Sequence, residues 1–389
     1  TAMPIITHIG DLKRLYRRRV PRMFYDYAES GSWTEQTFRD NTTDFAEIRL
    51  RQRVAVNIAD RSTRGHMVGQ PVAMPVALAP VGLTGMQHAD GEILAARAAQ
   101  RFGVPFTLST MSICSIEDVA DAVDASFWFQ LYVMRDEDVM ERLIARAAAA
   151  GCSALVLTLD LQVIGQRHRD LKNGLSAPPK LTVPVLLDLA RRWRWGLGML
   201  GTRRRGFGNL LGHVQGVSDV SNLMAWIAEQ FDPALDWARV RRVRDLWQGA
   251  LILKGIMDPD DAKHALDAGA DAIVVSNHGG RQLDGALSSI RMLPRILDAV
   301  GDKLEVHLDS GIRTGQDVLK ALALGARGTY IGRAYIYGLG ALGEAGVIRA
   351  LEIIHNELDV TMGFCGERDV ADLGRHNLLL PGDFVSRWR

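Results

Sequence analysis

Eight times between residues 75 and 340 a short apolar run of strand type is followed by a helical pattern or a turn, and few folds accommodate that count. The runs are 76–79, 105–108, 127–132, 154–159, 251–254, 272–276, 304–308 and 329–331. Alanine-rich helical patterns follow most of them, at 90–101, 116–122, 137–150, 259–268, 288–300 and 315–324. Runs that are apolar at every position need cover on both faces, which a parallel sheet flanked by helices supplies. Gly269-Ala270-Asp271 and Gly325-Ala326-Arg327 end helices just ahead of strands, as helix-terminating glycines do. The series predicts an α/β chain folded as a TIM (β/α)8 barrel; a doubly wound open sheet is the alternative.

Two segments interrupt the alternation. Residues 1–70 read as a helical N-terminal extension to a barrel at 71–340, and 341–389 read as a C-terminal helix and tail of the same single domain, 1–389. The longer interruption, about 165–247, falls between the fourth and fifth runs and far exceeds an ordinary loop. An insertion there projects from the face where barrels carry their active sites.

The charge balance, 46 Lys+Arg against 45 Asp+Glu, gives a net +1 and no field that would draw the chain to nucleic acid. Cys114, Cys152 and Cys365 are widely separated, which argues against a disulfide framework or a structural zinc site and fits a reducing compartment. No metal ligand set is expected. The long uncharged stretch 67–87 contains Pro71, Pro75 and Pro80 and is not a spanning helix. No secretory leader pattern is read at the start, and a cytoplasmic location is expected.

Barrels place reactive side chains at the C-terminal ends of strands. Here those ends carry Asp160, Lys254, His278 with Arg281, Asp309 with Arg313, and Arg333. A lone strand-end Asp or Lys is more often a cap or a surface ion pair than a functional group. Five ionisable ends on one rim are harder to explain structurally, because unpaired charge is costly to desolvate. Ser310-Gly311 with Arg313, and Gly332 with Arg333, follow the seventh and eighth runs, where barrels often bind phosphate; turn glycines beside surface arginines are the plainer reading. Ser276-Asn277-His278-Gly279-Gly280-Arg281-Gln282 can present an imidazole as general base beside a guanidinium that grips a carboxylate, with Asp160 orienting the imidazole; a capped turn is the bland alternative.

With these residues in view, the sequence resembles the FMN-dependent L-2-hydroxyacid oxidoreductases, the family of glycolate oxidases, mandelate dehydrogenases and bacterial L-lactate dehydrogenases. The resemblance extends over nearly the whole chain. It is carried by the run 276–282, by Leu253-Lys254-Gly255-Ile256, Phe129-Gln130-Leu131-Tyr132 and Asp309-Ser310-Gly311-Ile312-Arg313, and by Tyr25-Asp26-Tyr27 with Gly31. Leu78-Ala79-Pro80-Val81-Gly82-Leu83, Arg51-Gln52-Arg53-Val54 and Glu229-Gln230-Phe231-Asp232-Pro233 are most similar to the bacterial L-lactate dehydrogenase branch, which is linked to quinone or a cytochrome.

The resemblance implies a role for each matching residue. His278 is the base and Asp160 its partner; Arg281 and Tyr27 hold the substrate carboxylate, Tyr132 the hydroxyl, and Arg167 supports developing charge. Lys254 lies at the pyrimidine edge of FMN. The backbone of Ala79, Pro80 and Val81, with Ser109, Gln130 and Thr158, contacts the isoalloxazine or ribityl. Ser276 and Asp309 meet the ribityl chain, and Gly311, Arg313, Gly332 and Arg333 cradle the phosphate. The implied reaction oxidises a small L-2-hydroxy acid, L-lactate to pyruvate first among them. O₂-using oxidation of glycolate, lactate or mandelate is the near alternative, and a flavin-binding barrel isomerase the distant one. Three departures stand out. Leu161-Gln162 replaces the usual Thr-Pro after Asp160. His307 stands where a small or apolar residue is usual and reads as a satisfied core or rim histidine. Gly82 stands where oxidase-type members tend to carry alanine.

Between residues 172 and 207 lie eight Lys/Arg and one acid, Asp188, interleaved with Leu181, Val183, Val185, Leu186, Leu187, Leu189, Trp193, Trp195, Leu197, Met199 and Leu200. Cationic and aromatic residues interleaved with aliphatic ones suit an interfacial amphipathic segment. An oligomer contact and an exposed basic face are the alternatives. Mandelate dehydrogenase-like members dock on membranes through this insertion, so the resemblance adds peripheral attachment to the inner face of the cell membrane, and a homotetramer.

Overall fold

All eight apolar runs become strands in the computed structural model, which describes residues 5–175, 182–215 and 220–387. In chain order they are β1 (Val76–Leu78), β2 (Thr107–Ser109), β3 (Trp128–Tyr132), β4 (Ala154–Thr158), β5 (Ala250–Ile256), β6 (Ala272–Val275), β7 (Glu305–Leu308) and β8 (Gly328–Ile331). Each pairs in parallel with the next from β2 to β8, and β8 pairs with β1. A bridge between Leu78 and Phe106 completes the ring, with the Leu78 N–H donating to the Pro105 carbonyl at 2.9 Å. The closed ring makes this a TIM barrel and not an open doubly wound sheet.

The strands are apolar throughout because each has two interiors to fill. Along β4, Ala154 and Val156 point into the barrel lumen with Trp128, Ile252, Val274 and Tyr330, while Leu155 and Leu157 point out against the helices. Small residues serve the narrow lumen, among them Ala77, Ala79 and Ala272. Larger ones serve the outer layer, where each buried leucine or isoleucine contributes roughly 1.5–3 kcal/mol relative to exposure. A hairpin, Gly65–Met67 with Gln70–Val72, plugs the lower end of the lumen with Met67 and Val72. Its turn takes positive φ at Val68 and Gly69, the pairing that matches strand twist.

Three helices precede the hairpin, Ile9–Arg19, Arg22–Glu29 and Gln36–Thr43. Extended pieces also occur in this preface: Arg49–Leu50 pairs antiparallel with Leu378–Leu379. Such two- and three-residue strands are too short to leave a periodic trace in sequence. Between β4 and β5 lie the helices His168–Lys172, Val183–Arg191, Trp193–Gly201, Val220–Gln230 and Trp237–Leu246. The last of these buries Val240 and Val243 against the barrel.

The helices 183–191 and 193–201 sit on the preface. The Trp195 ring N–H donates to the Met86 carbonyl at 2.8 Å, and its ring lies 5.5 Å from that of Phe24. Their apolar residues therefore divide. Val185, Trp195 and Met199 pack inward, whereas Val183, Leu186, Leu187, Trp193, Leu197 and Leu200 are exposed. Leu181, and Lys180 among the cations of this segment, lie outside the described residues.

Candidate active site

The loop after β6 is unusual in its backbone. His278 is held at φ 59°, a left-handed conformation uncommon for a residue with a side chain. Hydrogen bonds fix it there. Its N–H donates to the Ser276 hydroxyl at 3.1 Å, and the next N–H, of Gly279, donates to the Ser310 hydroxyl at 3.0 Å. The imidazole Nδ1 lies 2.9 Å from Asp160 Oδ1 at the end of β4, and both side chains are largely buried. With Asp160 ionised, Nδ1 carries the proton and Nε2 is left as an acceptor, the tautomer a general base requires. Gln282 secures the loop that carries Asp160: its amide donates to the carbonyls of Asp160 and Val163 at 2.8 Å each and accepts from the Gly165 N–H at 3.2 Å.

His278 faces a cavity of about 1130 Å³, open mouth included, at the C-terminal end of the strands. Arg281, Tyr27, Tyr132 and Arg167 line the same cavity. The Arg281 guanidinium donates to the Tyr27 carbonyl and stacks on the Tyr27 ring, 4.7 Å from its centroid. Burial and then the neighbouring Arg167 pull its pKa down, so an anion between the two cations would be welcome. Arg167 is anchored through Nε to Asp170 at 2.7 Å, which leaves its terminal nitrogens for other acceptors. Burial and the nearby Tyr27 raise the Tyr132 phenol, which stays a hydrogen-bond donor at any physiological pH. Its ring meets Phe231 edge to face at 5.7 Å.

Deeper in, Lys254 of β5 pairs with Asp309 at 3.0 Å and donates to Ser276 at 3.2 Å, while the Ser276 hydroxyl donates to Asp309 at 2.7 Å. Burial pushes the Asp309 carboxyl up, but Lys254 and Ser276 outweigh it and hold the group below the usual range. Further round the rim stand Arg313 and Arg333. Arg333 donates to the carbonyls of Ala28, Gly279 and Ser30 at 2.7, 3.0 and 3.0 Å. Its pKa is pushed down to about 10, first by burial and then by Arg313. Gly332 begins the helix Arg333–Leu342 between them. A Cβ there would meet only Ala79 and Val81, at 3.8 and 3.9 Å, so protein packing does not demand the glycine. The missing side chain instead leaves bare backbone beside two guanidiniums, a cradle suited to an oxyanion.

Fourteen of the residues singled out in sequence line this one cavity: Tyr27, Ala79, Pro80, Val81, Tyr132, Arg167, Lys254, His278, Arg281, Asp309, Gly311, Arg313, Gly332 and Arg333. Asp160 stands behind His278, and Ser276 behind Lys254. Ser109, Gln130 and Thr158 do not line it. They form a hydrogen-bonded row across β2, β3 and β4 (3.2 and 3.1 Å), buried together. Packing alone demands Gly311: a Cβ on it would sit 1.9 Å from the Asn41 carbonyl. His307 is buried in the lumen, bonded to Tyr330 at 3.0 Å and Glu305 at 2.8 Å, and does not line the cavity.

Sequence reading did not name the cavity's apolar wall as such: Met111, Leu161, Ile164 and Phe231. These lie on loops with no periodic signal, and only their closeness to Asp160 or β2 could have hinted at them. Ile164 also borders a second, mostly apolar cavity of about 810 Å³ on the far side of Asp160. The described residues contain no cluster of His, Cys, Asp or Glu able to hold a metal ion.

Comparison with known proteins finds relatives over nearly the whole chain. The family model described as FMN-dependent dehydrogenase matches residues 16–380. A protein named L-lactate dehydrogenase from Caulobacter vibrioides is 49% identical over 370 residues, covering 95% of this chain and 96% of its own. One of the same name from Yersinia pestis is 46% identical over 375 residues, covering 96% and 98%. Among solved structures, the monotopic membrane protein (S)-mandelate dehydrogenase is similar with a TM-score of 0.93 and 35% identity, over 97% of this chain and all 100% of that one. A mandelate oxidase is similar with a TM-score of 0.82 and 36% identity, over 96% and 98%.

Proposed function

The chain belongs to the FMN-dependent dehydrogenase family, an FMN-dependent oxidoreductase group acting on 2-hydroxy acids, and from that premise we propose that it oxidises L-lactate to pyruvate and passes the electrons to quinone or a cytochrome. The observation that carries this reading is one cavity with two ends. At one end an Asp160-held imidazole faces Arg281 and Tyr27; at the other, Lys254 and the Arg313/Arg333 rim flank bare backbone at Gly332.

The second end fits FMN. Gly332 leaves room that packing does not claim, and two arginines on one rim suit a phosphate. Asp309 and Ser276 suit ribityl hydroxyls, and Lys254 a pyrimidine edge that gains negative charge. Ala79, Pro80 and Val81 supply backbone beside the ring. Ser109, Gln130 and Thr158 would act from just below, by fixing one another. When bound, FMN supplies the two-electron acceptor that no side chain offers.

The protein's own part is binding and proton transfer. Arg281 takes the substrate carboxylate through its planar fork, which ammonium cannot imitate, and the Tyr27 hydroxyl adds a donor. Tyr132 donates to the substrate hydroxyl oxygen. The hydroxyl proton passes to His278 Nε2, and Asp160 stabilises the resulting imidazolium; the α-hydrogen and the electron pair of its C–H bond, whose loss makes the carbon–oxygen bond a carbonyl, would leave to the acceptor that FMN supplies. Arg167 faces the charge that develops on the oxygen. Leu161, Ile164, Met111 and Phe231 form an apolar wall that suits an aliphatic side chain such as the methyl of lactate.

The test is anaerobic bleaching of the purified flavoprotein by L-lactate, glycolate and (S)-mandelate in parallel. L-lactate should bleach fastest. His278→Gln should keep its flavin and bleach about 10²–10⁴-fold more slowly; a near-normal rate would remove His278 from its role.

For the acceptor, the two insertion helices carry the support. Val183, Leu186, Leu187, Trp193, Leu197 and Leu200 are exposed beside Arg191 and Arg194, a surface suited to the headgroup layer of anionic lipid. No helix among the described residues is long and apolar enough to cross a membrane, so attachment would be peripheral. Quinone analogues should then reoxidise the flavin faster than O₂ does, and deletion of residues 180–206 should release the protein from membranes while leaving anaerobic bleaching intact. Equal service by O₂ would favour an oxidase, the name borne by one structural neighbour.

A further inference from the structure

We infer that Asn41, on the preface helix Gln36–Thr43, is a positioning residue for His278, acting through Asn277 without touching the substrate. The two asparagines form a reciprocal amide pair. Asn41 Nδ2 donates to Asn277 Oδ1 at 2.8 Å, and Asn277 Nδ2 donates to Asn41 Oδ1 at 2.7 Å. Asn277 also accepts from the Gly280 N–H at 3.0 Å and donates to the Leu287 carbonyl at 3.1 Å. All four hydrogen-bonding positions of its amide are thereby filled. Asn277 immediately precedes His278, whose left-handed backbone persists only while its surroundings over-determine it. Asn41 supplies two of the bonds that do so.

The helix is fixed to the same loop at its other end. Asp284 accepts from the N–H groups of Thr34 and Thr37 at 2.9 and 3.1 Å, and the Thr37 hydroxyl donates to the Ala286 carbonyl at 2.8 Å. On its opposite side the Asn41 carbonyl abuts Gly311. One buried asparagine thus ties the loop of the base to the loop at the oxyanion cradle, across 236 residues of sequence.

The inference rests on His278 being the base, and the experiment separates the two claims. Asn41→Asp keeps the shape and the acceptor for Asn277 Nδ2, but as a carboxylate it turns an acceptor towards Asn277 Oδ1. As a carboxylic acid it regains a donor and restores the pair. The ionisable groups around it are Asp40 on its own helix and Asp44 just beyond it, Arg291 (3.2 Å from Asp44), and His278 and Asp309 on the adjoining loops.

At about pH 8, anaerobic bleaching of Asn41→Asp by L-lactate should be about 10- to 100-fold slower than in the parent, with FMN still bound. At about pH 5.5 the ratio of variant to parent should move back towards unity, because burial raises the new carboxyl into that range. Asn41→Ser, which removes the amide without adding charge, should show a loss with no recovery, and stands in should Asn41→Asp fail to fold. Parent-like rates in both variants overturn the inference, as does a loss in Asn41→Asp that is the same at both pH values. A parent that no 2-hydroxy acid bleaches overturns the proposed function instead.

Discussion

Gly82 lines the cavity beside Tyr27, and its missing side chain sets a distance that can be used. A Cβ added there would lie 2.8 Å from the Tyr27 hydroxyl and 3.3 Å from Met111 Cβ. Ordinary contact begins near 3.4 Å, so in Gly82→Ala the hydroxyl must retreat by roughly 0.6 Å. Gly82 is not at positive φ, so the backbone accepts alanine. The ring has little freedom, because Arg281 is stacked on it at 4.7 Å. A misplacement of about 1 Å costs about 10²-fold, and 0.6 Å should cost about tenfold, or ~1.4 kcal/mol. In its proposed role Tyr27 serves bound substrate and transition state alike, so most of the loss should fall on apparent substrate affinity. The assay is anaerobic stopped-flow bleaching across a range of L-lactate concentrations, with flavin content as a control. A double-mutant cycle with Tyr27→Phe isolates the contact. Once the hydroxyl is gone, the alanine has little left to displace, and its penalty should shrink towards unity. An alanine penalty of equal size with and without the hydroxyl would refute the reasoning.

Asp160→Asn keeps the shape but not the charge that orients His278, and should slow flavin reduction by about 10²–10⁴-fold while leaving flavin retention unchanged. Ile164→Ala removes the partition between the two cavities, and should raise the rate with long-chain or aromatic 2-hydroxy acids relative to L-lactate; an unchanged preference would show that the second cavity is not reached. Asp309 has a depressed carboxyl, so its stabilising contribution is present above the unfolded value of about 3.9 and is lost as pH falls through the lower folded one. In Lys254→Met the largest cause opposing burial is lost and the carboxyl rises, so this contribution shrinks: the variant should be less thermally stable than the parent at neutral pH, and the difference should narrow as pH falls below about 4.

The barrel was legible because its strands are buried on both faces and so are apolar without interruption, a signal that needs no knowledge of partners. The strand-end residues were legible for a related reason: one charge at the close of an apolar run has ordinary structural uses, but five on one rim have few. The lining wall was not. Met111, Leu161, Ile164 and Phe231 lie on loops, where pattern carries no information about direction. Nor could sequence divide the insertion's apolar residues into the inward set led by Trp195 and the outward set led by Trp193, since nothing local says which of the apolar residues interleaved with its cations meet the preface. Asn41 escaped notice for another reason. Its partner is 236 residues away, and nothing local distinguishes it from any polar residue on a helix.

The three bonds from Arg333 to Ala28, Ser30 and Gly279 have a consequence for how the molecule is made. Residues 28 and 333 are separated by 305 positions, so the segment that bears Tyr27 leaves the ribosome long before its clamp exists. Through most of synthesis that segment has no seat, because the loop after β6 and the start of the helix after β8 are still unmade. Contacts of such high sequence separation form late and slowly. The part of the chain that bears Tyr27 is therefore translated among the first and seated among the last, and a ribosome stalled before residue 333 carries most of a barrel but an unassembled cavity.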